Sequence, residues 1–441
     1  MSSKHLDVLV VGAGVIGLSA AYHIKEANPD LSVLVIDRKS SPAQGDTAKS
    51  MAGVRDTFTS EVNRLLAGSS IDFYKHVQAE LGFNLNLELV GYLWILTESQ
   101  FREFESIKPI MQQEGIRFRI LEREHLTTLL PDLMLDPSSQ QSKLIGLEGI
   151  HKAIHGLDCG TIAPDLVAKY FENQYRKLGG EFQFGVEAKA LRLVATNSLD
   201  LPGEPFVWQD KRIAGVETNQ GPILADTTVV AAGARAPMLF DPMGIDCHIK
   251  PKKRQVFQLR NNNLDRLLNS KGFNEQNMIP FTILPKGVCV KPVKGERGFW
   301  ITASDDIGRA FSFEEEPIPE EAYFTMNIYP ILSEYFPCFT NLRPTNSWAG
   351  LYDINSLDAT PIVEKINGCI LTTGMSGSGI MKADAVGRLT AALLNDQDTA
   401  ILYGGQSIST SRLDLRTAIL AKNNSSCDIL PRLMFVGFLV P

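Results

Sequence analysis

Apolar and polar positions near the start of the chain switch from a strand pattern to a helix pattern and back. Leu6 to Val11, LDVLVV, is a near-continuous apolar run of the kind that forms a buried parallel strand. Gly12-Ala13-Gly14-Val15-Ile16-Gly17 follows, then the helix-compatible LSAAYHIKEA. That helix stops at Asn28-Pro29, because proline disfavours helical geometry in the residue before it. Ser32 to Asp37, SVLVID, reads as a second strand ending in a carboxylate. Later, Arg212 to Gly233 alternates as a hairpin with Gln220-Gly221 at its turn, then ends in a buried strand and Ala231-Ala232-Gly233. Gly368 to Gly387 places a buried strand before a glycine- and serine-rich loop, with a helix starting near Met381. The intervening runs LVGYLWIL, TILPKGVCVKPV and RGFWITAS alternate as strands of a second, mixed or antiparallel sheet.

The opening unit is a complete βαβ nucleotide fingerprint. Gly12 permits the tight turn, Gly14 lets the backbone approach a pyrophosphate, and Gly17 lets helix and strand pack closely. Val15 and Ile16 open a helix whose unpaired N–H groups and partial positive charge suit phosphates. Asp37, followed by Arg38, stands twenty residues after Gly17, where a carboxylate accepts hydrogen bonds from ribose hydroxyls. The fingerprint alone leaves NAD and FAD both open. The next segment, with Gly45, Thr47, Ala48, Ser50, Met51, Ala52 and Gly53 leading into Arg55, can run extended along a long cofactor.

The 441 residues suit two domains rather than one core. With 44% hydrophobic and 21% charged residues, the composition is that of an ordinary globular protein. A formal net charge of -7 and a pI near 5.6 provide no overall basic field for nucleic acid. The cluster Lys250, Lys252, Lys253 and Arg254 reads as a solvated turn. Six cysteines without C-x-x-C spacing fit neither a zinc ribbon nor a disulfide scaffold, and suit a reducing cytoplasm. His151 and His155, four apart but without an intervening glutamate, make no metal site. No apolar run reaches the ~18 residues that span a bilayer, and the apolar tail Leu433 to Val440 allows peripheral membrane contact at most.

The stretch RKSSPAQGDTAKSMAGVRDTF, the Ala232-Gly233 pair and the Gly374 to Gly379 loop resemble the D-amino-acid oxidase, sarcosine oxidase and glycine oxidase family of flavoproteins. Within it, PMGIDCHIKPKKRQVF, the acidic block around Pro317, Trp348 to Ile354, Ser376 to Lys382 and Leu402 to Gly405 are similar to dye-linked L-proline dehydrogenases. The resemblance implies an α/β fold: an FAD-binding Rossmann-like domain with an inserted mixed or antiparallel β-sheet substrate domain. It divides the chain into 1–81, 152–245 and 343–405 for FAD, 82–151 and 246–342 for substrate, and 406–441 as a tail.

It also implies that Ala188 meets adenine and that Ala232 and Gly233 return beneath the cofactor. Gly377, Ser378, Gly379, Ile380, Met381 and Lys382 then present helix-start amides to the flavin C2 carbonyl, stabilising charge at N1 as N5 takes a hydride. Arg55 matches a carboxylate-binding arginine, and a planar guanidinium suits that pairing; a structural ion pair or a phosphate contact is its alternative role. Lys382 lies one position from a carboxylate-binding lysine of sarcosine oxidase, and otherwise faces solvent at a helix start. Tyr92, Trp94, Trp300, Trp348 and Tyr352 form an apolar cage or ordinary core.

Gly350 stands where sarcosine oxidase carries its flavin-linking cysteine, so FAD is expected to be non-covalent. Trp300 stands where that enzyme has an oxygen-activating lysine, which favours a dehydrogenase passing electrons to a dye, a quinone or a redox partner protein. The expected substrate is a small amine or amino acid. An oxidase of the same family and a non-catalytic FAD subunit stay as alternatives.

Overall fold

The computed structural model describes residues 6–58, 60–304 and 308–424, so the apolar tail Leu433 to Val440 lies outside the described residues. A six-stranded sheet runs in the order Ile362–Ile366, Cys369–Thr373, Ala225–Val230, Leu6–Val11, Val33–Asp37, Glu181–Phe184. All its pairings are parallel except that of the first two strands. Leu9 and Val10 are fully buried, as a central parallel strand covered on both faces requires. Helices Val15–Ala27, Glu61–Ala79, Pro164–Lys177 and Ala383–Leu394 pack on one face. The other face is covered by a three-stranded sheet, Gly221–Ile223, Lys211–Thr218 and Ala188–Ala195, and by the short helix Ala236–Phe240.

A separate eight-stranded sheet forms the second layer, ordered Asn346–Asn355, Ile249–Arg260, Gly298–Ala303, Val288–Val293, Phe281–Ile283, Tyr92–Leu96, Lys152–Gly156, Phe118–Leu121. Its two faces each carry an apolar cluster, which makes it a second core rather than a flap. The mixed α/β architecture matches the expectation, but the strands cross the boundaries set from sequence. Lys152–Gly156 and Asn346–Asn355 belong to this roof sheet, because their partners are Tyr92–Leu96 and Ile249–Arg260. The hairpin Thr399–Ile401 with Ser407–Ser409 spans the boundary at 405, and Ile408 and Leu413 join the first core.

The solvated-turn reading of the lysine cluster is overturned. Lys252, Lys253 and Arg254 are buried in the middle of the strand Ile249–Arg260, paired on one side along its whole central length. Lys252 donates to the Arg309 carbonyl (2.9 Å), and Lys253 bridges Glu314 (3.0 Å) and Glu320 (2.9 Å). Such buried cations are tolerated because each is paired or hydrogen-bonded.

Candidate active site

A cavity of about 390 Å³ runs between the two sheets. Its walls include Gly12, Gly14, Val15, Ile16, Asp37, Arg38, Thr47, Ser50, Met51, Ala188, Ala232, Gly233, Gly350, Tyr352, Gly377, Gly379 and Ile380, residues that lie far apart in sequence. The fingerprint turn is built as its chemistry demands. Gly12 has φ +108, and a Cβ there would lie 2.5 Å from the Ala231 carbonyl oxygen; a Cβ on Gly17 would lie 1.9 Å from the Gly12 oxygen. Gly17 is therefore absent from the cavity wall and acts by letting the helix approach the strand. Asp37 caps the turn, accepting from the amides of Ala13 (2.7 Å) and Lys39 (2.8 Å) while still lining the cavity.

The segment after Asp37 is not uniformly extended. Asp46–Lys49 forms a 3-10 turn, because Asp46 accepts from the Leu351 amide (2.8 Å) and the Thr47 hydroxyl accepts from Val15 (3.1 Å). Ala48 is not on the cavity wall as a result. At the far end, Asp353 organises the glycine loop by accepting from Gly374 (2.9 Å), Met375 (3.1 Å) and the Thr373 hydroxyl (3.2 Å). Burial pushes the Asp353 carboxyl up to about 6. Ser378 turns inward, donating to the Met375 carbonyl (2.7 Å), and Met381 joins the core. A long channel with glycine cradles at both ends and a carboxylate under the adenosine end fits FAD.

Arg55 and Lys382 come together, although neither is on the wall of that cavity. The Arg55 guanidinium lies 4.5 Å and the Lys382 Nζ 4.8 Å from the Phe58 ring. Both are buried, which disposes of a solvent-facing Lys382. Lys382 donates to Asn63 (2.6 Å) and Ser378 (2.5 Å), and burial, reinforced by the Arg55 charge, pushes its ammonium down to about 7. Burial also lowers Arg55, against the partial compensation of Tyr92 and Tyr352 nearby.

The aromatic cage is only partly assembled. Tyr352 lines the cavity, held with Arg254 5.3 Å from its ring. Tyr92 stacks on Phe281 (4.4 Å) and reaches Gly53, where a Cβ would meet its hydroxyl at 1.8 Å. Trp94 is fully buried in the roof core. Trp300 and Trp348 instead form an edge-to-face pair at 4.9 Å, with their indole N–H groups donating to Glu296 (3.0 Å) and the Lys49 carbonyl (3.0 Å).

A residue that sequence reasoning missed lies against Trp300. Lys291, on the neighbouring strand and directly opposite in register, places its Nζ 4.5 Å from the Trp300 ring and donates to the Met51 carbonyl (2.6 Å). Burial lowers this ammonium to about 8. An ammonium therefore lies beside Trp300, the position whose lack of charge favours a dehydrogenase from sequence. Other cavity residues that the sequence reading did not assign to the site are Arg235, Arg254, Thr302 and Phe313 to Pro317. Among the described residues no His, Cys, Asp and Glu group could hold a metal, and no helix is long and apolar enough to cross a membrane.

Comparison with known proteins places these features. The model of the family described as DAO, FAD dependent oxidoreductase, matches residues 7–393. FAD-dependent oxidoreductase domain-containing protein 1 of Xenopus laevis is 25% identical over 428 residues, covering 89% of this chain and 80% of its own. The Bos taurus protein of the same name is 24% identical over 425 residues, with 88% and 81% covered. Among solved structures, L-proline dehydrogenase from P. horikoshii superposes with a TM-score of 0.73 at 20% identity, covering 96% of this chain and 99% of that one. Glycine oxidase from Geobacillus kaustophilus superposes at 0.71 with 17% identity, covering 90% and 96%.

Proposed function

The chain belongs to the DAO family of FAD-dependent oxidoreductases, and from that membership we propose that it dehydrogenates a small secondary amine or amino acid, L-proline being the first candidate. FAD supplies the hydride acceptor and takes the electrons onward. The observation that carries the reading is the convergence of Arg55 and Lys382 on Phe58 beside the flavin-end loop. Two buried cations there suit a substrate carboxylate, with Arg55 offering the bidentate grip and Lys382 the second charge. Tyr92 and Tyr352 supply apolar surface and exclude water around the amine.

In this reading the adenosine half is held by the Gly12 to Gly17 turn, Asp37, Arg38 and Ala188, and the ring by Thr47, Ser50, Met51, Ala232, Gly233, Gly350, Gly377, Gly379 and Ile380. Gly350 has no side chain to bond the ring, so FAD is held non-covalently. Electrons leave to a dye, a quinone or a partner protein. The likeness in fold to an L-proline dehydrogenase supports L-proline as the first candidate. A second reading, an oxidase using oxygen, is favoured by Lys291, whose buried ammonium suits developing superoxide charge.

Anaerobic mixing of the purified yellow protein with L-proline, sarcosine, glycine and D-amino acids tests the assignment. Bleaching by L-proline is the expected result. Bleaching by another member of the panel overturns the narrow substrate and keeps the chemistry, whereas bleaching by none points to a non-catalytic FAD subunit. Peroxide formed in air then separates oxidase from dehydrogenase.

A further inference from the structure

The acidic block Glu314-Glu315-Glu316, with Phe313 before it and Pro317 after it, belongs to the roof domain by sequence and lines the cofactor cavity by position. Its two ends are fastened to the roof strand Ile249–Arg260. The Ser312 amide donates to the Pro251 carbonyl (3.0 Å), Lys252 donates to the Arg309 carbonyl (2.9 Å), and Lys253 bridges Glu314 and Glu320. Its tip reaches the other domain. Glu315 pairs with Arg38 and with Arg235 (2.5 Å), and Glu316 pairs with Lys39 (2.5 Å).

These partners surround the adenosine end of the channel. Arg38 and Lys39 follow Asp37, while Arg235 follows Ala232-Gly233 and also pairs with Glu187 (2.8 Å), next to Ala188. The Arg235 guanidinium lies 5.3 Å from the Phe313 ring, so the apolar flank of the tip is seated as well. The strap thus crosses from one domain to the other over the same cavity that the fingerprint turn opens into.

We propose that residues 313–317 form a latch over the ADP half of the cofactor, and that opening the Glu315 and Glu316 ion pairs is the step that limits FAD release. The inference rests on the FAD cofactor and is independent of which amine is oxidised. Both glutamates are more than half exposed, so the pairs are sensitive to salt and cheap to break, as a latch requires. Three such pairs acting together give an effect on the order of tenfold in rate.

The test measures flavin release from the FAD-loaded full-length protein by the rise in free-flavin fluorescence on dilution. Glu315→Gln combined with Glu316→Gln should speed release on the order of tenfold at low salt. The wild type should speed up towards the variant as salt is raised, and the variant should respond far less. Since both side chains are exposed, the variant is expected to fold, and circular dichroism checks this. Release that is unchanged in the variant overturns the proposal. Release that is slower also overturns it, because the carboxylates would then be repelling the phosphates or competing for Arg38 and Arg235. A charge swap, Lys39→Glu with Glu316→Lys, should restore most of the slow release lost in either single variant, and failure to do so counts against the ion-pair latch.

Discussion

Gly17→Ala is the sharpest perturbation of the cofactor site, because the change is one methyl group pointed at backbone. An ideal Cβ at this position would sit 1.9 Å from the Gly12 carbonyl oxygen and 3.3 Å from the Ala231 Cβ. Carbon–oxygen contacts in folded proteins close to about 3.3 Å, so helix and strand must part by about 1.4 Å. Neither atom is the end of a flexible side chain that could swing away. Overpacking of this kind costs roughly 1–3 kcal/mol, and here it also moves the first-turn amides of Val15–Ala27 relative to the bound phosphates. At about 1.4 kcal/mol per factor of ten, FAD affinity should fall roughly ten- to hundredfold. Titration of apoprotein with FAD, followed by flavin fluorescence, reads this directly. Gly68→Ala is the control: it lies inside the helix Glu61–Ala79 with nothing within 4 Å of the added Cβ, and should be neutral or slightly stabilising. Wild-type FAD affinity in Gly17→Ala would refute the close-packing argument.

Arg55→Met should raise KM for a carboxylate-bearing substrate about ten- to hundredfold, the loss of charge-assisted hydrogen bonds worth roughly 1.5–3 kcal/mol, with a smaller effect on kcat. Lys291→Met should slow reoxidation of reduced enzyme by air on the order of tenfold. In the wild type that rate should fall as pH rises through about 8, where the Lys291 ammonium loses its proton. His23 gives a stability prediction. Burial disfavours its charge, but Asp384 at 2.8 Å and Glu26 at 3.1 Å together outweigh burial and raise it above its ordinary value. The pair's contribution is fully present below about pH 6.5 and is lost as pH climbs through the raised value. Urea midpoints of the wild type should therefore fall more steeply than those of His23→Gln between mildly acidic and mildly alkaline pH.

The dinucleotide end was legible because its chemistry is local: Gly12, Gly17 and Asp37 are set by a turn, a packing distance and a strand end within one βαβ unit. The flavin-end loop was legible as a loop, but not which residues face inward. Ser378 bonds its own turn and Lys382 is drawn to Asn63 on a helix more than three hundred residues away in sequence. Charge in the roof misled most. Lys252, Lys253 and Arg254 read as a solvated turn until their strand is paired, and only the register puts Lys291 opposite Trp300. The domain boundaries failed for the same reason, as Lys152–Gly156 joins the roof only through its partner Tyr92–Leu96.

The most direct measurement is anaerobic reduction of the FAD-loaded wild type by L-proline and by pyrrolidine, the same ring without the carboxylate, followed by stopped-flow loss of flavin colour. Rapid bleaching by L-proline and little or none by pyrrolidine at equal concentration is the predicted result. Equal bleaching by both would contradict the carboxylate grip of Arg55 and Lys382, and a flavin that no amine in the panel reduces would contradict the proposed dehydrogenase itself.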